Sequence, residues 1–339
     1  MTTERYPWLQ VIRYMGSKLA LVDFIAPVLE SLAGGQGIAD LMAGSHAIGF
    51  ALKPYLAIFA NDVQHYSYVV GKALLDDPGD PVDGRALAFA IRDQLAAPTR
   101  GFFESTYADT YLSRSQCREV DAIRRAAGAV PEPGRYRCLA ALLYAMCYCQ
   151  STPGHFAQFL PAHHPRVQTL RALSIQEAFW NKLGELEQIK PGHPANSVHC
   201  RPVEDLVLPP HVGVAYLDPP YSSEQYSRFY HLLETAVLYD DPRVQHKAGY
   251  RTGRFRSDFC YPARVEGAFR RVLSRLPPGV RVAVSYSDRG LLPVDTLVSL
   301  VRERYRRVEV LSHRHRHSSL GKGTSGVREY LVVGSEEML

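Results

Sequence analysis

Short, continuous apolar runs alternate with amphipathic stretches in two separated parts of the chain. Val212-Gly213-Val214-Ala215-Tyr216-Leu217 lacks any charged position and is bounded by prolines, the form of a strand buried on both faces. A short apolar strand ending at Asp40, another from Tyr55 to Ala60, and Val280 to Ser287 follow the same pattern. Ahead of the first, Leu21, Val22, Phe24, Ile25 and Leu29 recur at helical spacing, and after it Ala47 to Lys53 opens a helix. A helical region to about Arg304, a strand from Arg307 to Ser312 and the segment Arg328 to Val333 predict a closing hairpin. Strands alternating with helices predict an α/β chain with a mostly parallel sheet.

Asp76-Asp77-Pro78-Gly79-Asp80-Pro81 reads as a loop or linker and interrupts that alternation. Beyond it the apolar period is helical throughout: Arg85–Ala96, Ser115–Ala127, Tyr136–Gln150 and Ser174–Ile189, the last with Ser174 as N-cap and Glu177 completing a capping box. Thr152 to Pro165, with three prolines and His155, His163 and His164, is a loop among them. The expected division is a catalytic domain at 1–76 and 195–339, with a helical insert at 77–194.

The most informative chemistry follows the buried run: Asp218-Pro219-Pro220-Tyr221. The carboxylate falls at the carboxyl end of a strand, where open α/β sheets place their sites. The prolines fix φ and turn the chain out rigidly, holding a carboxylate, a backbone carbonyl and an aromatic ring together. Two acceptors and a π-face suit an amino group on a flat heteroaromatic ring. Read plainly, the same residues are a strand end with a core tyrosine.

Two further segments could supply a cofactor site. Ile38 to Gly49 runs from strand through Asp40, Ala43, Gly44 and Ser45 into a helix start, where small residues let backbone N–H groups approach a ligand. The next strand ends at Asn61-Asp62, about twenty residues on, where an acid can accept from a ribose diol, cap a helix, or do both. The third segment is Tyr14-Met15-Gly16-Ser17-Lys18, near the N-terminus.

In this order the segments resemble the Dam-like, class D family of DNA adenine N6-methyltransferases, over roughly residues 10–75 and 196–335. The resemblance implies a Rossmann-like S-adenosylmethionine (SAM)-dependent methyltransferase sheet of seven strands with an antiparallel edge hairpin, and makes the helical insert the target-recognition domain. It implies catalysis by Asp218, Pro219, Pro220 and Tyr221, on the N6 of an adenine flipped out of double-stranded DNA. It implies SAM binding by Tyr14, Lys18, Asp40, Ala43, Gly44, Ser45, Asp62 and Asp205. The hairpin loop, with Arg314, Arg316 and Lys322, would border the flipped base and the DNA backbone. One position departs: after Gly44-Ser45 the family commonly has glycine and this chain has His46, a side chain able to crowd or stack beside the cofactor. Downstream of Tyr221, Tyr226, Tyr230 and His231 either wall the base pocket or pack in the core.

Composition changes this picture little. Hydrophobic content of 46% and charged content of 22% are those of a globular protein, and no apolar run approaches the ~20 residues of a membrane span, so a cytoplasmic location is expected. The net charge is only +5, but arginines cluster at 251–256 and 302–328, a distribution suited to phosphate contacts. Six cysteines without C-x-x-C spacing, and histidines interleaved with arginines at His313 to His317, predict neither disulfide nor metal. Cytosine-N4 or RNA methylation, and a non-catalytic DNA-binding protein on the same scaffold, remain the rival readings. A cognate restriction or defence protein is a possible partner.

Overall fold

The computed structural model describes residues 9–12, 14, 16–76, 78–315 and 326–337. Its nine strands are β1 (Gly37–Asp40), β2 (Ile58–Asn61), β3 (Ser197–His199), β4 (Val212–Leu217), the short β5 (Val244–Gln245) and β6 (Tyr250–Arg251), β7 (Arg281–Ser287), β8 (Tyr305–His315) and β9 (Val327–Glu337). β5 and β6 pair only with each other; the remaining seven form one sheet ordered β3-β2-β1-β4-β7-β9-β8. β3 to β7 in that order are parallel, and β9 runs antiparallel between β7 and β8. The expected seven strands and edge hairpin are therefore present, with β8 five residues longer than its apolar pattern indicated.

From β1 the chain winds outward to β2 and β3, then returns across the sheet and winds the other way from β4 to β7. β1 and β4 are adjacent, in register from Ile38 opposite Val214 to Asp40 opposite Tyr216. The winding reverses between them, so their carboxyl ends open a crevice instead of being covered by one crossover.

All six residues of β4 are buried because both faces of the sheet are covered. Val214 and Tyr216 join one apolar cluster, Ala215 and Leu217 the other, as the two-residue period of a strand requires. The second cluster packs under helices Val265–Arg275 and Val294–Arg302. The first runs through helices Val22–Ala33 and His65–Leu75 into the insert without a break. Helix Gly134–Cys149 is central to the insert: twelve of its sixteen residues are buried, and it packs on helices 65–75, 114–128, 175–186 and 231–238. Ser174 Oγ accepts from the Glu177 amide at 3.1 Å, and a reciprocal capping box forms at Ser113 with Gln116.

Candidate active site

The sheet positions three carboxylates. Asp40 ends β1, Asp62 follows β2, and Asp218 follows β4 after Leu217. All three line one cavity of about 290 Å³ at the crevice, together with Tyr14, Lys18, Ala43, Gly44, Ser45, Pro219, Pro220, Tyr221 and Tyr226. Segments as far apart in sequence as Tyr14 and Tyr226 thus meet at one place.

On one side the wall is the turn after β1. Gly44 has φ +53°, and a Cβ there would lie 2.9 Å from the Tyr14 ring, so the turn requires glycine on both counts. Its N–H donates to Asp62 Oδ2 at 2.9 Å, while Asp62 Oδ1 accepts from the Gln64 amide at 2.9 Å. Asp62 therefore ties the turn to the start of the next helix. Tyr14 lies over the turn and stacks on Tyr226 (ring centroids 5.5 Å apart) and on Tyr230 (4.9 Å). Burial raises Asp62 to about 6. Burial, reinforced by Asp218 and Asp62, raises Asp40 to about 8. Asp40 Oδ1 is buried and has no hydrogen-bond partner among the described residues. An unsatisfied acceptor on a cavity wall is what a donor-bearing ligand completes, so the wall fits a nucleoside with free hydroxyl and amino groups.

The other side belongs to the Asp-Pro-Pro-Tyr turn. Lys18 Nζ lies 2.7 Å from Asp218 Oδ1, 3.5 Å from Glu329 Oε1 and 4.7 Å from the Tyr221 ring centre. It also donates to the Tyr221 hydroxyl and to the Gly16 carbonyl. That hydroxyl is 2.7 Å from Asp218 Oδ1 and 2.6 Å from Glu329 Oε1, and Ser285 Oγ donates to the same Glu329 oxygen at 2.6 Å. Two carboxylates thus share one ammonium, with Lys18 only 5% and Glu329 only 2% exposed. Burial raises Asp218 above the usual carboxylate range, and the neighbouring Lys18 opposes the rise. Burial, then Asp218 and Glu329, push the Tyr221 hydroxyl well above its ordinary value.

Most of the residues singled out in the sequence meet here, but not all. Tyr230 and His231 are core residues: Tyr230 is sandwiched against Tyr14 and Tyr66, and His231 Nε2 contacts the Phe156 carbonyl at 3.0 Å, with both side chains at most 1% exposed. Neither lines the cavity, because the helix that begins at His231 turns this face inward to pack on the insert. Asp205 is also displaced; its neighbour Glu204 lines the cavity, while the Asp205 side chain is 65% exposed beside Arg275. A 3-10 turn at Val203–Asp205 decides which of the two acids faces in. His46 takes a left-handed φ of 59° but points away from the cavity, its Nε2 2.8 Å from the Ser67 carbonyl. The conformation is one glycine adopts freely, and the imidazole occupies core space beside Gly71.

The basic clusters divide similarly. Arg251 forms a bidentate pair with Asp240, and Arg304 holds the carbonyls of Leu273, Leu276 and Pro277, so both serve the fold. Arg314 is exposed near the end of β8; Arg316 and Lys322 lie outside the described residues. The sequence reading missed Glu329. The available signal was an acid placed directly before the apolar run Tyr330-Leu331-Val332-Val333, where a buried charge is costly unless it is paired.

A switch-point crevice, a glycine turn beside it and a carboxylate-proline-proline-tyrosine turn are together the features of a Rossmann-like methyltransferase fold. The model of the D12 class N6 adenine-specific DNA methyltransferases matches residues 14–268, and the chain belongs to that family, whose members use a methyl donor and act on DNA. It is 26% identical over 310 residues to modification methylase LlaI of Lactococcus lactis subsp. lactis, covering 86% of this chain and 48% of that protein. Type II methyltransferase M.FokI of Planomicrobium okeanokoites is 25% identical over 348 residues (94% and 52%). Type II methyltransferase M.NlaIII of Neisseria lactamica is 25% identical over 328 residues, covering 92% and 93%. The chain spans about half the length of the first of these relatives and nearly all of the last.

Proposed function

We propose that this protein is a site-specific DNA methyltransferase that transfers the methyl group of SAM to N6 of an adenine flipped from the duplex. The observation that carries the reading is the placement of Asp218 on the wall of the cavity that also holds Asp40, Asp62 and the Gly44 turn. An amine acceptor and a nucleoside-binding wall share one space. Asp40, Asp62, Gly44, Tyr14 and Glu204 would hold the cofactor; when bound, SAM supplies a methyl group activated by its sulfonium.

The protein's own work is orientation and electrostatics. The N6 lone pair is delocalised into the purine ring, and the Asp218 carboxylate, with the Pro219 carbonyl, accepts its N–H bonds and draws it towards tetrahedral character. Such preorganised acceptors act more strongly in a buried site than in water. Tyr221 and Tyr226 offer the base aromatic faces. Lys18 keeps Asp218 oriented and compensates its charge.

The helical insert serves as the target-recognition domain. Its loop at 152–165 is held against the segment that walls the cavity, through Phe156 N–H to the Phe229 carbonyl at 2.8 Å and the His155 ring against Phe229. Arg314, Arg316 and Lys322 contribute phosphate contacts. The likeness to modification methylases supports a cytoplasmic role in restriction-modification beside a cognate endonuclease. Among the described residues no helix is long and apolar enough to cross a membrane.

Tritiated-methyl transfer from SAM to DNA, followed by digestion to nucleosides, tests the proposal. Label is expected in N6-methyladenine. Label in N4-methylcytosine, label in RNA alone, or SAM binding without transfer would each establish one of the rival readings instead.

A further inference from the structure

Methylation of an exocyclic amine leaves one proton that must depart, and Asp218, the carboxylate on the cavity wall beside the amine, is placed to receive it first. Asp218 does not end at the cavity wall. Its Oδ1 is 2.7 Å from the Tyr221 hydroxyl oxygen, which is 2.6 Å from Glu329 Oε1. Three oxygens in hydrogen-bond contact lead from the cavity into the sheet. The single Tyr221 proton cannot be donated to both carboxylates at once, so the hydroxyl is a junction with two alternative acceptors.

Glu329 itself does not line the cavity and is 2% exposed, so it reaches the reacting base through the cavity-lining groups it touches: the Tyr221 hydroxyl at 2.6 Å and, more loosely, the Lys18 ammonium at 3.5 Å. Its place on β9, opposite Ser287 of β7 and His313 of β8, fixes it in the sheet. The groups that face or influence it are Lys18 from the N-terminal turn, Ser285 from β7, Asp218 and Tyr221 beyond β4, and, more remotely, Tyr216 of β4 and Tyr226. A second buried carboxylate beside Lys18 costs desolvation that the fold alone does not require, since Asp218 already pairs with that ammonium.

We propose that Glu329 is a positioning and proton-accepting residue for methyl transfer, at the end of a path from Asp218 through the Tyr221 hydroxyl. The inference rests on the proposed amine methylation. As the nitrogen gains its methyl group, its N–H proton passes to Asp218 Oδ1. Asp218 gives that proton to the Tyr221 oxygen while the Tyr221 proton moves to Glu329. Asp218 returns to the carboxylate, Tyr221 is neutral throughout, and Glu329 ends as the carboxylic acid. The positive charge that arrived with the methyl donor leaves the cavity as that proton, which later exchanges with solvent.

The test compares wild type, Glu329→Gln and Tyr221→Phe in single-turnover methylation of duplex DNA that the wild type converts to N6-methyladenine. Both substitutions keep shape and, for phenylalanine, the stacking face, but break the path. Each is expected to lower the rate roughly 10²-fold at pH 7. The double variant is expected to be no slower than either single one. Both losses should shrink as pH rises, because hydroxide substitutes for the missing acceptor, whereas a merely structural role leaves the deficit unchanged with pH. SAM and DNA affinities should remain within a few-fold of wild type. Time-resolved infrared difference spectra give a readout besides activity: a carboxylic-acid C=O band appears on turnover in wild type and is absent in Glu329→Gln. Wild-type rates in either variant, multiplicative losses, or a pH-independent deficit overturn the path while leaving the methyltransferase reading standing. Failure of the wild type to form N6-methyladenine overturns both.

Discussion

Replacing Asp218 with alanine separates chemistry from binding and folding in a way the geometry makes quantitative. The carboxylate is removed from a cluster in which Lys18 has a second counter-charge, Glu329, at 3.5 Å, and Tyr221 retains its 2.6 Å bond to the same acid. No buried charge is orphaned, so the ~3–5 kcal/mol cost of breaking a buried pair does not apply in full. The amine, by contrast, loses the acceptor whose hold strengthens as positive charge develops on nitrogen. Loss of one preorganised partner of this kind costs about 2.7–4 kcal/mol, a factor on the order of 10²–10³ in rate. Asp40, Asp62 and the Gly44 turn are untouched, so SAM affinity should be largely preserved, and DNA affinity also, because phosphate contacts supply most of it. The assay is single-turnover methyl transfer with saturating SAM and DNA, beside calorimetric SAM titration and thermal unfolding of the same preparation. Transfer at the wild-type rate would refute the assignment of Asp218. A collapse of SAM affinity equal to the rate loss would refute the division of the cavity into cofactor and base sides.

Tyr221→Ala should be slower than Tyr221→Phe by no more than the worth of the lost stacking, about 1–3 kcal/mol with Tyr226 still on the wall; equal rates in the two variants would mean the ring does not stack on the base. Asp40 is raised from 3.8 to about 8, so the stability linked to its proton is full below about pH 4 and is lost as pH rises towards 8. Asp40→Asn in the SAM-free protein should therefore gain melting temperature over wild type increasingly from pH 5 to pH 8.5, and a pH-independent difference would contradict the burial argument. His46→Ala should destabilise by about 1–3 kcal/mol, through the lost contact to Ser67, with SAM affinity unchanged; weaker or tighter SAM binding would place the imidazole in the cavity. Glu204→Ala should weaken SAM binding by roughly 1–3 kcal/mol while Asp205→Ala leaves it intact, and the reverse order would restore the reading made from sequence.

The apolar runs ending at Asp40, Leu217 and Ser287 were legible as strands because a strand covered on both faces must be apolar at nearly every position, whatever covers it. The Asp-Pro-Pro-Tyr turn was legible because proline restricts its own backbone and that of the residue before it, so the local geometry is written in four residues. The glycine at Gly44 carries the same kind of information: a left-handed φ under a tyrosine ring allows no other residue. What the sequence by itself determined, then, was whatever depends on a residue and its near neighbours. Which acid of Glu204-Asp205 faces the cavity depends on the phase of a 3-10 turn set by the packing of helix 265–275, and spacing does not carry that. His231 looked as exposed to a substrate as Tyr226, five residues earlier, until the insert covered one face of its helix. Glu329 became a neighbour of Lys18 and Tyr221 only when β9 was laid beside β7, bringing together residues 311 positions apart. Long-range contacts of this kind come from the order of strands in the sheet, a collective outcome of burying all the apolar runs at once, and only the tertiary structure decided them.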